Sequence, residues 1–401
     1  MEHMINNTFS LGTRTALNRV VLQPMEGCDA ETDGSPSKLT WDKYLSAAQS
    51  GAGLIWMEAC AVAPEGRTNP RQLMLTEKNL PHYQALVAEM RRVAKEKAGV
   101  DPILILQLTH SGRQSICPMI AYRHPIYEER RPVTDENIVT DAYLDTLPPI
   151  FAKSALLAVQ AGFDGVDVKS CHGYLFQELL SAFTREGKYG GSFENRSRLY
   201  LDCVRAVQAV LPSDILLTTR LSVVDMVKKP YGFGMTEEGE MDLSEPDLLI
   251  GRLIEAGVTV LNVTLGNPYY NPHVNRPYRR GGYIPPEAPD AGLARFEFVE
   301  KHIKELYPEL TVVGSGLSYY REEVFRVAER QLGEGVCDFV GFGRLWLAYP
   351  SFYRDYLNGS LEKKRCCLTC SKCTELMRAH QVSGCAVFHD YYRNLYKEKV
   401  K

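Results

Sequence analysis

Eight short runs of apolar, largely β-branched residues, separated by longer amphipathic stretches, constrain this chain more than any other feature. They lie at 19–24 (RVVLQP), 53–59 (GLIWMEA), 102–108 (PILILQL), 166–169 (VDVK), 215–221 (ILLTTRL), 258–264 (VTVLNVT), 310–313 (LTVV) and 337–341 (CDFVG). Helical patterns fall between them, at 40–50, 78–97, 149–161, 193–210, from 244 onward, 294–306 and 321–330. A strand that reads as continuously apolar is buried on both faces, as strands of parallel sheets are when helices cover them. Eight such strand–helix units predict an α/β chain folded as a (β/α)8 TIM barrel. The alternative, a doubly wound open sheet, would call for a G-x-G-x-x-G turn after the first strand and a break in composition between two halves, and the sequence has neither. Two long polar stretches, 111–143 and 266–289, read as excursions over the strand ends, where they would set substrate specificity.

In a barrel of this kind the chemistry sits at the C-terminal ends of the strands. Collected strand by strand, the residues there are Pro24, Met25 and Glu26, then Ala59, Gln107, the titratable group Lys169, His172 and Tyr174, and Arg220. Ser315 and Gly316 follow the seventh strand, and Gly343 and Arg344 the eighth. Small residues there let backbone N–H groups converge, and a fork-shaped guanidinium can hold a phosphate through two bonds. A phosphate-bearing cofactor or substrate is expected at that end.

The cysteines separate into two populations. Six are scattered, whereas Cys366, Cys367, Cys370, Cys373 and Cys385 fall within twenty residues. The start of the chain has no apolar leader, and clustered thiols in a reducing compartment argue for metal rather than disulfides. Cys367-x-x-Cys370-x-x-Cys373 shares its middle thiol between two overlapping pairs. Three thiolates on one tight loop, with Cys385 from beyond it, suit the corners of a 4Fe-4S cluster. A structural zinc is the alternative, although zinc sites more often use two separate pairs. The net charge of −3 and the lack of a long basic run exclude nucleic acid and anionic membrane as partners. No apolar run reaches membrane-spanning length, so a cytoplasmic protein is expected.

These residues carry a resemblance. Gln23-Pro24-Met25, Gln107 through Arg113 (QLTHSGR), His172-Gly173-Tyr174-Leu175, Tyr189 through Arg196 (YGGSFENR), Val313 through Gly316 (VGSG) and Gly341 through Arg344 (GFGR) occur in the order found in the old yellow enzyme family of FMN-dependent oxidoreductases. The nearer resemblance is to its iron–sulfur branch, that of 2,4-dienoyl-CoA reductase and trimethylamine dehydrogenase. It implies an FMN-binding barrel over 1–360 and a 4Fe-4S-binding extension over 361–401, with Cys366 as a non-ligand. It also implies that Pro24, Met25 and Ala59 line the flavin ring, Gln107 meets its pyrimidine edge, and Arg220 sits by N1 and O2. Gly316, Gly343 and Arg344, with Ser315 beside them, would hold the phosphate. His172 would bind a substrate oxygen and Tyr174 would donate a proton. Lys169 stands where the family usually has His or Tyr, and Glu26 where Thr, Cys or His is usual. A lysine there favours a carboxylate or enolate-like oxygen.

The resemblance implies reduction of an activated C=C bond of an α,β-unsaturated carbonyl or carboxylate, with NAD(P)H or a separate electron-transfer protein as the electron source and a homo-oligomeric assembly. Two rivals stand beside it. One is an FMN/4Fe-4S amine dehydrogenase, in which Tyr269, Tyr270, Trp56 and Glu26 form a bowl for a cation. The other is a non-catalytic barrel stapled by zinc.

Overall fold

A computed structural model describes residues 3–279, 281 and 283–400. Among the described residues there are ten strands. β1 (Phe9–Leu11) and β2 (Arg14–Ala16) form an antiparallel hairpin. β3 (Val20–Leu22), β4 (Leu54–Ala61), β5 (Ile103–Thr109), β6 (Gly165–Val168), β7 (Leu216–Ser222), β8 (Val260–Thr264), β9 (Thr311–Gly314) and β10 (Phe339–Phe342) close into a parallel barrel in the order β10-β3-β4-β5-β6-β7-β8-β9. The eight expected strands are these eight, and the barrel is the expected (β/α)8 fold. Every residue of every barrel strand is buried. That two-sided burial is why the runs read as continuous rather than alternating.

The hairpin β1–β2 has no counterpart in the sequence reading, because each strand spans three residues, too few to show a period. Its function in the fold is clear from its contacts. Phe9, Leu11 and Ala16 pack with inward-facing Val21, Leu54, Ile105 and Phe339, closing the barrel interior at the end opposite the site. Trp56 belongs to the same interior cluster.

Local sequence explains the helix starts around the site. Ser192 caps the helix Phe193–Gln208, accepting from Asn195 N at 3.4 Å, as a residue before an apolar-periodic run should. The sequence reading missed the helix Leu175–Leu180, whose six residues are all buried; it follows Tyr174 directly. A buried ion pair between Arg113 and Glu178 (2.5 Å) ties that helix to the 111–143 excursion, and Arg113 also donates to Tyr122 O. The turn that aims Tyr174 into the site is therefore clamped from outside. Among the described residues no helix is long and apolar enough to cross a membrane.

Candidate active site

One cavity of about 180 Å³ opens at the C-terminal end of the barrel. Every residue assigned from sequence to a catalytic or cofactor role lines it: Pro24, Met25, Glu26, Ala59, Gln107, Lys169, His172, Tyr174, Arg220, Ser315, Gly316, Gly343 and Arg344. They come from β3, β4, β5, β6, β7, β9 and β10, so only closure of the barrel brings them together.

The end formed by the last two strands is built for close backbone approach. Gly316 has φ +84°, a conformation open to glycine and costly for other residues. A Cβ on Gly341 would lie 2.0 Å from Gln23 Nε2 and 2.6 Å from Gly314 O. Ser315 N–H donates to Glu300 Oε1 at 2.7 Å, and Gln23 Nε2 donates to Ser315 Oγ at 3.2 Å. Glu300 is fully buried, and burial pushes its carboxyl up to about 8. It can therefore sit protonated behind a loop suited to an anion. Arg344 donates to Thr374 Oγ1 at 3.2 Å, and Arg276 donates to the same hydroxyl. Two guanidinium groups thus converge on one small polar residue, and neither is in an ion pair with a carboxylate among the described residues.

The middle of the cavity is fixed by β5, β6 and β7. Gln107 Nε2 donates to Asp167 Oδ2 at 2.6 Å, which leaves the amide oxygen as the free end of that side chain. Burial pushes Asp167 up to about 7, against the lowering effects of the Gln107 bond and the Arg220 charge. Arg220 donates to Pro24 O at 3.4 Å, and its buried Nε has no partner. In β4 the pairing with β5 shifts register between Met57 and Cys60. Such a bulge re-aims side chains. Here Ala59 lines the cavity, while Glu58 turns away to accept from Gly27 N at 2.5 Å and Tyr44 OH at 3.0 Å.

The third region holds the titratable group. His172 has φ +65°, a strained conformation for a non-glycine residue, and its buried Nε2 has no partner. Burial, with Arg220 and Lys169 nearby, holds His172 well below the usual imidazole range, so it is neutral. Lys169 is lowered by burial and places Nζ 3.7 Å from the Tyr174 ring centre. Tyr174 is buried, and its hydroxyl donates to Glu26 Oε2 at 2.8 Å. Strained or unpartnered polar groups gathered in one cleft are what functional sites require and what folding alone would remove.

The bowl expected for a cationic substrate does not form. Trp56 is fully buried in the barrel interior, and Tyr270 packs against Tyr127 (centroids 5.7 Å apart) beneath Arg130. Only Tyr269 and Glu26 of that set line the cavity. Trp56 was misplaced because the alternation of side chains along a buried strand cannot be read when both faces are apolar.

Sequence reasoning left out Gln23, Arg276 and Thr374 as site residues. Gln23 carried a signal: it is the polar residue directly after the buried strand β3, and Asn262 donates to it at 2.7 Å. Arg276 and Thr374 carried none, since one lies in a polar loop and the other in the cysteine-rich run.

That run abuts the cavity. Cys367, Cys370, Cys373 and Cys385 line a second, small void of about 20 Å³, and Cys366 does not. Cys373 and Arg344 border both spaces. Ser383 N donates to Gly27 O at 2.7 Å and Ser383 Oγ to Cys373 O at 2.8 Å, which fastens the cysteine segment to the loop after β3. Among the described residues, no three His, Cys, Asp or Glu side chains draw close enough to hold a single metal ion.

The sequence model of the NADH:flavin oxidoreductase / NADH oxidase family matches residues 7–253. The chain is 29% identical over 380 residues to NADH oxidase of Thermoanaerobacter brockii, covering 91% of this chain and 53% of that one. It is 28% identical over 359 residues to NADPH dehydrogenase of Listeria monocytogenes, covering 84% and 98% respectively. Among solved structures, a complex of 2-naphthoyl-CoA reductase with 2-naphthoyl-CoA matches with a TM-score of 0.80 at 19% identity, over 99% of this chain and 58% of that one. Histamine dehydrogenase from Rhizobium sp. 4-9 matches with a TM-score of 0.71 at 21% identity, over 96% and 52%. At these identities the structural likeness is one of fold. The chain spans little more than half the length of the NADH oxidase and of the two longer solved structures.

Proposed function

The chain belongs to the NADH:flavin oxidoreductase / NADH oxidase family, and from that premise we propose that it is an FMN-dependent ene-reductase with a 4Fe-4S cluster. Its substrate would be an α,β-unsaturated carbonyl or carboxylate, and its electrons would come from NAD(P)H or a separate electron-transfer protein. The FMN would occupy the barrel, 1–360, and the cluster the extension, 361–401.

The observation that carries this reading is the convergence on one cavity of all the side chains assigned to catalysis or to FMN, with glycines and Arg344 at one end and the buried, unpartnered His172 Nε2 and Arg220 Nε beyond them. The donor set fits FMN. Gly316, Gly343 and Arg344 would hold the phosphate, Pro24, Met25 and Ala59 would line the ring, and Gln107 would offer an acceptor oxygen to its pyrimidine edge. When bound, FMN supplies a hydride at its N5 position. Arg220, buried and without a carboxylate partner, would place positive charge where the reduced ring carries negative charge.

The remaining steps belong to this chain's own residues. Neutral His172 and Lys169 would donate to the substrate oxygen and stabilise enolate character as it develops. The Tyr174 hydroxyl would deliver the proton to the α-carbon. Lys169, Arg220, Arg276, Arg344 and Arg378 make the cavity lining strongly positive, with Glu26 opposing them. That balance favours an anionic substrate over an alkylamine.

Lys169→His, which restores the usual family residue, tests this preference. A hydrogen bond to a charged group contributes about 1.5–3 kcal/mol. The variant is therefore expected to lose roughly 10- to 100-fold in kcat/KM for (E)-cinnamate relative to cyclohex-2-en-1-one. An unchanged ratio would remove Lys169 from substrate recognition.

The four cysteines around one void support a cluster. Thiols too spread for one ion can still ligate separate corners of a cubane. Protein purified without oxygen is expected to show flavin bands over a broad brown absorption, with about four irons per chain, and Cys370→Ser should lower the iron content. A colourless sample carrying zinc and no iron would end the proposal.

A further inference from the structure

The turn that carries His172 is held by two buried residues outside the cavity, Gln177 and Asp225. His172 and Gly173 are consecutive left-handed residues, with φ +65° and +70°. That conformation is unfavourable for histidine, so its surroundings must maintain it. Tyr174 is the N-cap of the helix Leu175–Leu180 but makes no side-chain cap, and its hydroxyl donates to Glu26 instead. Gln177, in the first turn of that helix, reaches back: its Oε1 accepts the Gly173 N–H at 2.5 Å. Its Nε2 donates to Asp225 Oδ1, and Phe233 N donates to Asp225 Oδ2 at 2.8 Å. Asp225 lies in the loop after β7, the strand that carries Arg220, and both Gln177 and Asp225 are buried. We propose that Gln177 and Asp225 are positioning residues that act through His172, holding its turn left-handed so that Nε2 meets the substrate oxygen.

Each bond in this chain leaves the next group only one role. Burial raises the Asp225 carboxyl to about 6, so near neutral pH both of its oxygens are acceptors. An acceptor at Oδ1 orients the Gln177 amide, with its nitrogen toward Asp225 and its oxygen toward Gly173. The Gly173 N–H is thereby satisfied inside the protein, and the peptide joining His172 to Gly173 is fixed. A Cβ on Gly173 would collide with the Asn267 amide, so the turn is also packed against the loop after β8. The imidazole is then left with a buried, unpartnered Nε2 at the cavity wall. Neither Gln177 nor Asp225 lines the cavity, so any effect of theirs on substrate must pass through the turn. The role of His172 as a donor is that of the reading above, on which this inference rests.

The test follows reoxidation of the reduced holoenzyme by cyclohex-2-en-1-one in stopped flow. Binding of the same enone to the oxidised holoenzyme is read from the flavin absorbance, which also confirms that each variant is loaded. His172→Ala should slow reoxidation about 10²- to 10³-fold, the usual loss of one oxyanion donor. Gln177→Met keeps the volume and removes both hydrogen bonds. It should slow reoxidation roughly 10- to 100-fold and weaken enone binding, because the donor is misplaced. The two losses should not add: in the His172→Ala background, Gln177→Met should slow the reaction by less than about twofold more. A loss due to loosened packing would recur there in full. Gln177→Glu sets two carboxylates against each other and should be as slow as Gln177→Met. Combining it with Asp225→Asn restores every hydrogen bond with donor and acceptor exchanged, and should recover most of the rate. That comparison decides the matter if Gln177→Met does not hold flavin. A Gln177→Met loss that persists in the His172→Ala background, or a combined variant no faster than Gln177→Glu, would overturn the inference and leave the ene-reductase reading standing. If His172→Ala reoxidises at the wild-type rate, that reading of His172 is itself wrong and the positioning role falls with it.

Discussion

Tyr174→Phe is expected to slow reoxidation of the reduced protein by an unsaturated substrate by about 10²- to 10⁴-fold, the usual contribution of a positioned general acid. Reduction by NAD(P)H should be affected far less, because no proton from Tyr174 is needed in that half-reaction. Stopped-flow absorbance of the flavin separates the two phases. The effect should be large because Tyr174 is buried and clamped: its OH is fixed by Glu26, its ring by Lys169, and its backbone by the helix Leu175–Leu180 that Arg113 and Glu178 anchor. Phenylalanine keeps all of the packing and loses only the hydroxyl. Equal losses in both half-reactions would argue against proton donation.

The second large effect concerns stability. Lys43 is buried between Asp29 (2.8 Å) and Glu58, with Thr40 donating to Asp29 and Tyr44 to Glu58. Removing one partner from a buried ionic cluster leaves uncompensated charge, at a cost of about 3–5 kcal/mol. Lys43→Met, which preserves volume, is expected to lower stability by about that much. The sign of its pH dependence follows from Glu58, which burial raises to about 7 in the folded protein from an ordinary 4.5. A carboxyl raised on folding favours the folded state at low pH and loses that contribution as pH rises through the folded value. The penalty of Lys43→Met should therefore be greatest above pH 7 and shrink toward pH 5, where Glu58 can take up a proton. Urea midpoints at the two pH values measure it. A constant penalty would mean that lost packing, rather than stranded charge, accounts for the effect.

The eight barrel strands were legible because burial on both faces leaves an unbroken apolar run, and the cavity residues because the barrel gathers strand ends. What escaped the sequence has physical reasons. The β1–β2 hairpin is too short to show a pattern. Trp56 sits on a strand buried at every position, so no exposed face reveals which way it points. Arg276 and Thr374 meet only through the packing of a loop and a terminal segment far apart in sequence. The partner of Glu26 depends on Tyr174, 148 positions away.

The wall shared by the two spaces has a consequence for how such a protein would be assembled. Arg344 and Cys373 border both the large cavity and the cysteine void, and Thr374 joins Arg344 to the segment that bears the thiols. Under the proposed assignment, whichever cofactor arrives first orders part of the surface that the other must find. Binding free energies are reciprocal. Flavin affinity would rise in cluster-loaded protein by the same factor by which flavin favours cluster retention, so partial occupancy would drift toward chains that hold both cofactors or neither.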